Sequence, residues 1–180
     1  MKNLLIASLV TLASVLGVTD PVFSQNVNNF DVAGTDVVTG PVKSRVTGYA
    51  SINPKAMRDF RNSYANVNNE IWVQNKNGFM ALFTSDEIRF KVEYDNKGNW
   101  YATEKAYPEK KLQSDIRTTI KRAYFDYAIN WITEINMPDD FTGTIYVVQM
   151  QDEKSYKSIC LYEGEIKTID EYSKSNQVNK

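Results

Sequence analysis

The residues able to do chemistry in this chain are few, and their spacing argues against most reactions. Histidine is absent, which removes the commonest general base, the usual activator of a nucleophile and the commonest transition-metal ligand. Cysteine occurs once, so Cys160 cannot close an internal disulfide. Its apolar neighbours Ile159 and Leu161 point to a small strand residue in or near the core, whereas a catalytic thiolate needs a base or a helix N-terminus beside it. Asp95-Asn96-Lys97-Gly98-Asn99 superficially resembles a calcium loop. However, Lys97 stands where an oxygen ligand is wanted, and the twelfth position is Ala106, which carries no carboxylate. A hairpin turn accounts for it better. Asp139-Asp140 and Asp152-Glu153 are adjacent acids in expected turns, solvated rather than poised as an acid/base pair. Lys121-Arg122 could meet a phosphate or carboxylate, but paired basic residues on a wet helix face are ordinary. No nucleophile elbow, phosphate loop, dinucleotide fingerprint or Cys-x-x-Cys occurs. The expectation is a protein without catalytic residues, cofactor or metal, and so not an enzyme.

Composition sets the class. The chain has 180 residues, 42% hydrophobic and 12% aromatic, enough to bury a core and too apolar for disorder. Eleven Tyr, eight Phe and three Trp favour strands. Lys/Arg and Asp/Glu are interspersed and the net charge is -1, which leaves no electrostatic footprint for nucleic acid.

The elements that would position any site read as follows. Residues 1–24 have the pattern of a signal peptide: Lys2 as a short positive region, then an apolar run from Leu4 to Val18 too short to span a bilayer. Cleavage is expected after Ser24, with Gly17 as a second candidate, and the mature chain is expected to be periplasmic or secreted, with no stable membrane insertion. The lack of disulfides leans toward a bacterial periplasm. Residues 25–51 read as a flexible N-terminal arm, the alternative being one irregular strand around Val42 to Val46. Asn53-Pro54 starts a helix, Asn as cap and Pro at the first helical position, with Ala56, Met57, Phe60 and Tyr64 as its apolar stripe. Strands follow at Glu70–Gln74, Phe79–Thr84, Ile88–Tyr94 and Asn99–Ala106. The second is nearly all apolar and reads as covered on both faces; the third alternates and reads as one buried and one wet face.

Leu112 to Ile129 reads as a second amphipathic helix running into a strand. Ser114 is its expected cap, Asp115 complements the helix dipole, and Ile116, Ile120, Ala123, Tyr124 and Tyr127 form its stripe. Phe125 lies off that stripe: it marks either an early end of the helix or a contact that packs one half on the other, and the packing role is the favoured expectation. Strands at Ile129–Ile135, Thr144–Gln151, Tyr156–Tyr162 and Glu165–Tyr172 complete the set, before a polar tail. The fold class is therefore α+β. Turn residues recur at offsets of about 65 residues (Gly78 with Gly143, Asp86 with Asp152, Gly98 with Gly164), which suggests two tandem helix-plus-four-stranded antiparallel units, 52–111 and 112–173, with 174–180 as tail.

The pattern Ala56-x-x-x-Phe60, Trp72, Gly78-Phe79-x-Ala81-x-Phe83, Tyr94-Asp95-Asn96-Lys97-Gly98-Asn99-Trp100, Tyr107, Leu112 and Ile116-Arg117-x-x-Ile120-x-x-x-Tyr124-x-x-Tyr127-x-Ile129, just before Glu134-Ile135, resembles the PepSY-like, β-lactamase-inhibitor-protein-like (BLIP-like) exported proteins of Bacteroidetes. The resemblance covers roughly Tyr49 to Tyr172. It implies tandem helix-plus-sheet units in the periplasm and a role in binding another protein, with restraint of a hydrolase or peptidase as its extension; it carries no catalytic residues.

Each sheet would keep one face free of helix. By strand parity Trp72, Tyr101, Trp131 and Tyr146 are the aromatic residues expected to reach that face and bind a periplasmic or cell-envelope protein. The competing reading, in which these rings complete the core, is the commoner fate of large aromatics in small domains. An alternative function is a small-ligand or envelope-stress sensor with a pocket between helix and sheet.

Overall fold

The computed structural model describes residues 38–39, 42–43, 45–138 and 143–174. The expected signal peptide, Asp139-Asp140 and most of the tail lie outside them.

Three short strands, β1 (Val38–Thr39), β2 (Val42–Lys43) and β3 (Arg45–Val46), precede helix α1 (Pro54–Ser63). Then come β4 (Ile71–Asn75), β5 (Gly78–Ser85), β6 (Ile88–Asp95) and β7 (Trp100–Tyr107). Helix α2 (Ser114–Ala123) leads into β8 (Ala128–Asn136), β9 (Ile145–Gln151), β10 (Ser155–Tyr162) and β11 (Glu165–Ser173). Among the described residues β3 to β11 form one nine-stranded antiparallel sheet in chain order, with β1 and β2 as a separate hairpin. The sheet is continuous across β7 and β8, which pair from Thr103 with Asn136 to Tyr107 with Ile132. It is therefore one sheet rather than two laid side by side.

α1 begins as its sequence dictates. Asn53 accepts a hydrogen bond from the Lys55 amide at 2.9 Å and Pro54 opens the helix. Two packing contacts tie that start to the β6–β7 turn: Asn53 Nδ2 donates to the Asn96 carbonyl at 3.2 Å, and Lys55 Nζ donates to Asn99 Oδ1. The turn itself is held by Asp95, which accepts from the amides of Lys97 and Asn99, both at 2.8 Å, and from Asn99 Nδ2 at 2.8 Å. Its carboxylate thus serves the hairpin's own backbone, and those hydrogen bonds hold its pKa below the usual carboxylate range.

α1 lays Ala56 and Phe60 on Trp72, Phe79, Ala81, Phe83, Val92 and Tyr94. Phe60 meets Trp72 and Phe83 edge-on, at centroid separations of 5.3 and 5.7 Å, the arrangement that ring quadrupoles favour. α2 packs Ile120 on Ile129, Ile132, Val148, Met150 and Ile159, with Ile116, Tyr124 and Tyr127 at the margin. Register puts both helices on the same side. Val92, under α1, pairs with Thr103, Thr103 pairs with Asn136, and Ile132 has the same parity as Asn136 and lies under α2.

Three expectations are corrected. The N-cap of α2 is Gln113 and makes no side-chain cap bond; Ser114 is already helical, and its carbonyl accepts from Thr118 Oγ1. Phe125 joins no core: the helix ends at Ala123, and the ring stands 82% exposed in the turn before β8. β5 is covered on one face only, because Met80 and Leu82 point away from α1 and stay half-buried.

Candidate functional site on the uncovered sheet face

The face opposite the helices is assembled by alternation. Arg89, Lys91 and Glu93 of β6 point to it, and register places Ala106, Glu104 and Ala102 of β7 directly opposite them. Thr133 and Ile135 of β8 continue the rows.

Its centre is an ion cluster. Lys91 Nζ lies 2.9 Å from Glu93 Oε1 and 3.2 Å from Glu104 Oε1. Both carboxylates are buried although no helix covers them. This corrects the expectation of a wet face on β6, and the physical reason is mutual cover by long side chains. Burial raises the Glu104 pKa to about 7, Lys91 opposes that rise, and the neighbouring charge of Glu93 adds to it. Tyr101 occupies the bulge between Trp100 and Ala102. Burial, with the adjacent Glu93 carboxylate as hydrogen-bond acceptor, raises its phenol pKa well above the usual range.

Beside this cluster the Arg89 guanidinium reaches over the small Ala106 to Trp131, 4.7 Å from its ring centroid, within cation–π range. Burial lowers the Arg89 pKa. Farther along, Ile135, Ile145 and Cys160 make a small apolar cluster flanked by Met137, Val147, Tyr162 and Ile169. Burial pushes the Cys160 thiol up, the opposite of what a nucleophile needs. On the uncovered face an ion cluster on β6–β7, with Trp131 and its cation beside it, thus lies next to a small apolar cluster on β8–β11.

Two of the polar features on the helix-bearing face bear on function. Glu134 accepts from Lys105 Nζ at 2.7 Å, the Tyr107 hydroxyl at 2.8 Å and Asn136 Nδ2 at 2.9 Å. Burial alone would raise its pKa, but these hydrogen bonds outweigh burial and the net shift is downward. Between α1 and strands β6 and β7 a cleft of about 200 Å³ opens. Asp59, Ser63 and Tyr64 form one wall, and Val92, Tyr94, Trp100 and Thr103 the other. The Tyr94 hydroxyl donates to Asp59 Oδ2 at 3.0 Å and the Trp100 indole donates to Thr103 Oγ1 at 2.9 Å.

The four aromatic residues expected on the uncovered face divide evenly. Tyr101 and Trp131 lie there. Trp72, 2% exposed, packs under α1, and Tyr146, 7% exposed, joins the core under α2. Register is the physical reason: Trp72 pairs with Ala81 and Tyr146 with Glu134 and Leu161, all on the helix side. Sequence reasoning passed over Lys91, Glu93, Glu104 and Asp59. The first three become legible once the Asp95–Gly98 turn fixes the hairpin register; nothing in the sequence singles out Asp59. Among the described residues no group of three or more His, Cys, Asp or Glu is placed to hold a metal ion.

The architecture is BLIP-like: two helices on one face of an extended antiparallel sheet. Three solved structures share it at low identity. A BLIP-like protein from Bacteroides fragilis is 19% identical, with 74% of this chain and 94% of that one covered and a TM-score of 0.54. A DUF2874 family protein from Bacteroides uniformis is 12% identical, with coverage of 67% and 88% and a TM-score of 0.53. A proposed periplasmic protein from Bacteroides eggerthii is 14% identical, with coverage of 73% and 94% and a TM-score of 0.54. No family model and no curated protein matches the chain. At these identities the likeness defines the fold, and of the expected BLIP-like and PepSY-like resemblance it carries the BLIP-like part.

Proposed function

We propose that this chain is an exported, non-enzymatic binding module that engages another periplasmic or cell-envelope protein through its uncovered sheet face. The observation that carries the proposal is Trp131 under the Arg89 guanidinium on a face without a helix. Aromatic and arginine side chains around a desolvated centre are what protein interfaces use as anchors. Tyr101, Lys91, Glu93 and Glu104 supply the polar part. Likeness to a BLIP-like protein supports protein binding, and restraint of a bound hydrolase or peptidase is its extension, as is the PepSY likeness. Export rests on the segment 1–24 and on the description of the B. eggerthii neighbour. Among the described residues no helix is long and apolar enough to cross a membrane.

The proposal includes a tandem origin, units 52–111 and 112–173. Supporting it, α1 and α2 are each ten residues long and start 60 residues apart, and their C-caps Tyr64 and Tyr124 have matching backbone angles (φ -131 and -133). Gly98 and Gly164 share φ +79. The face is tested by capturing partners from periplasmic extract with the mature protein. Trp131→Ala and Tyr101→Ala reduce capture while Arg117→Ala on α2 does not; undiminished capture by the first two removes the face.

A second reading, a small-ligand sensor, is favoured by the cleft between α1 and β6–β7. A thermal-shift screen of periplasmic metabolites tests it through ligand-dependent stabilisation.

A further inference from the structure

We propose that the cleft between α1 and β6–β7 is a binding site for a primary ammonium group on a short alkyl chain. The inference rests on the ligand-sensor reading and names the chemical class of its ligand.

Charge comes first. Among the described residues Asp59 is the one charged residue lining the cleft, and no ion pair among them uses it. The last turn of α1, which supplies Ser63 to the same wall, brings the negative end of a helix dipole. Both features favour a cation.

The acceptors on the two walls select the kind of cation. Tyr94 already donates to Asp59 Oδ2, which leaves Oδ1 for a ligand. Thr103 Oγ1 accepts from the Trp100 indole and keeps one lone pair, and Ser63 adds a hydroxyl. A guanidinium prefers both oxygens of a carboxylate, but an ammonium offers three separate donors to three separate acceptors. A quaternary ammonium has no N–H to give. Half-buried Tyr64 and Trp100 supply ring surface for the charge and alkyl stem. A volume of about 200 Å³ is below that of pockets for drug-sized ligands and suits one head group with a short chain. The sixth residue of α2 is Thr119 where α1 has Asp59, so α2 carries no such charge at that position.

The Trp100 indole N–H is a built-in reporter, with Trp72 and Trp131 as internal controls. In ¹⁵N-correlation spectra at constant ionic strength, butylammonium is expected to move the Trp100 indole signal saturably and leave the other two unmoved. Butan-1-ol and tetramethylammonium are expected to leave all three in place. Asp59→Asn keeps an oxygen acceptor for Tyr94 and removes the charge, so affinity falls about tenfold or more while the rest of the spectrum is retained. An equal shift with butan-1-ol overturns the ammonium assignment and leaves the ligand-cleft reading standing. Equal binding of tetramethylammonium, or unchanged affinity in Asp59→Asn, also overturns it. Silence toward all three probes overturns it without touching ligands of other classes.

Discussion

Gly98 lies so close to Asn53 that a β-carbon on Gly98 would stand 2.7 Å from the Asn53 side-chain oxygen and 2.9 Å from the Ala56 amide nitrogen. Gly98 also has φ +79, a backbone region in which a side chain is strained. The hairpin turn and the helix start are thus fitted to each other through the one residue type without a side chain. Gly98→Ala is expected to destabilise the fold by about 2–4 kcal/mol, combining left-handed strain with overpacking. Urea unfolding checks this, with Gly48→Ala as control, since nothing lies within 4 Å of a β-carbon there.

Phe60 anchors α1 with no exposure and three ring neighbours, Tyr64, Trp72 and Phe83. Phe60→Ala is expected to cost about 3–5 kcal/mol through lost transfer energy and a residual cavity. Phe125→Ser, at a ring in solvent, is expected to stay within about 0.5 kcal/mol of the parent. Denaturant midpoints at unchanged slope distinguish the two.

Glu104 makes stability fall as pH rises. Its folded pKa, about 7, is above the ordinary 4.5, so the folded state binds more protons than the unfolded chain between those values. The full benefit is present below about pH 4.5 and is lost by about pH 7, a change on the order of 3 kcal/mol. Glu104→Gln, neutral throughout, is expected to flatten that part of the stability profile. A carboxyl ¹³C titration of Glu104 with a midpoint near 4.5 would refute the prediction.

Glu134 has the opposite slope. Burial opposes its ionisation, but the hydrogen bonds from Lys105, Asn136 and Tyr107 win and depress its pKa. Its stabilisation is present above the unfolded value of 4.5 and is lost as pH falls through the folded value. Glu134→Ala is expected to cost about 1–3 kcal/mol at neutral pH, because the buried Tyr107 hydroxyl loses its acceptor. Thermal melts at pH 7 and pH 3 check it: the difference between parent and variant shrinks at the lower pH.

How much of this was legible in the sequence depends on how local the cause is. Asn53-Pro54 announces α1, and the turn glycines and alternation of Ile88–Tyr94 announce the hairpins, because those causes lie within a few residues. Parity fails where both neighbours of a ring are apolar. Ile71-Trp72-Val73 and Ile145-Tyr146-Val147 contain no polar residue to phase the strand, so Trp72 and Tyr146 could not be assigned to a face until register settled it. The burial of Glu93 and Glu104 is less legible still. It depends on Lys91 and on a bulge at Tyr101, and alternation predicts which way a side chain points, not what leans over it. Asp59 gains its meaning from Tyr94, 35 residues away in the chain.

Chain order and spatial order coincide along the whole sheet, with β3 at one edge and β11 at the other. A pull applied to these two edges loads the strands across their hydrogen bonds, so ladders open one at a time instead of shearing together. Under tension the molecule behaves as a zipper with low mechanical resistance. A translocation motor or a processive protease drawing on either edge meets one strand pair at a time.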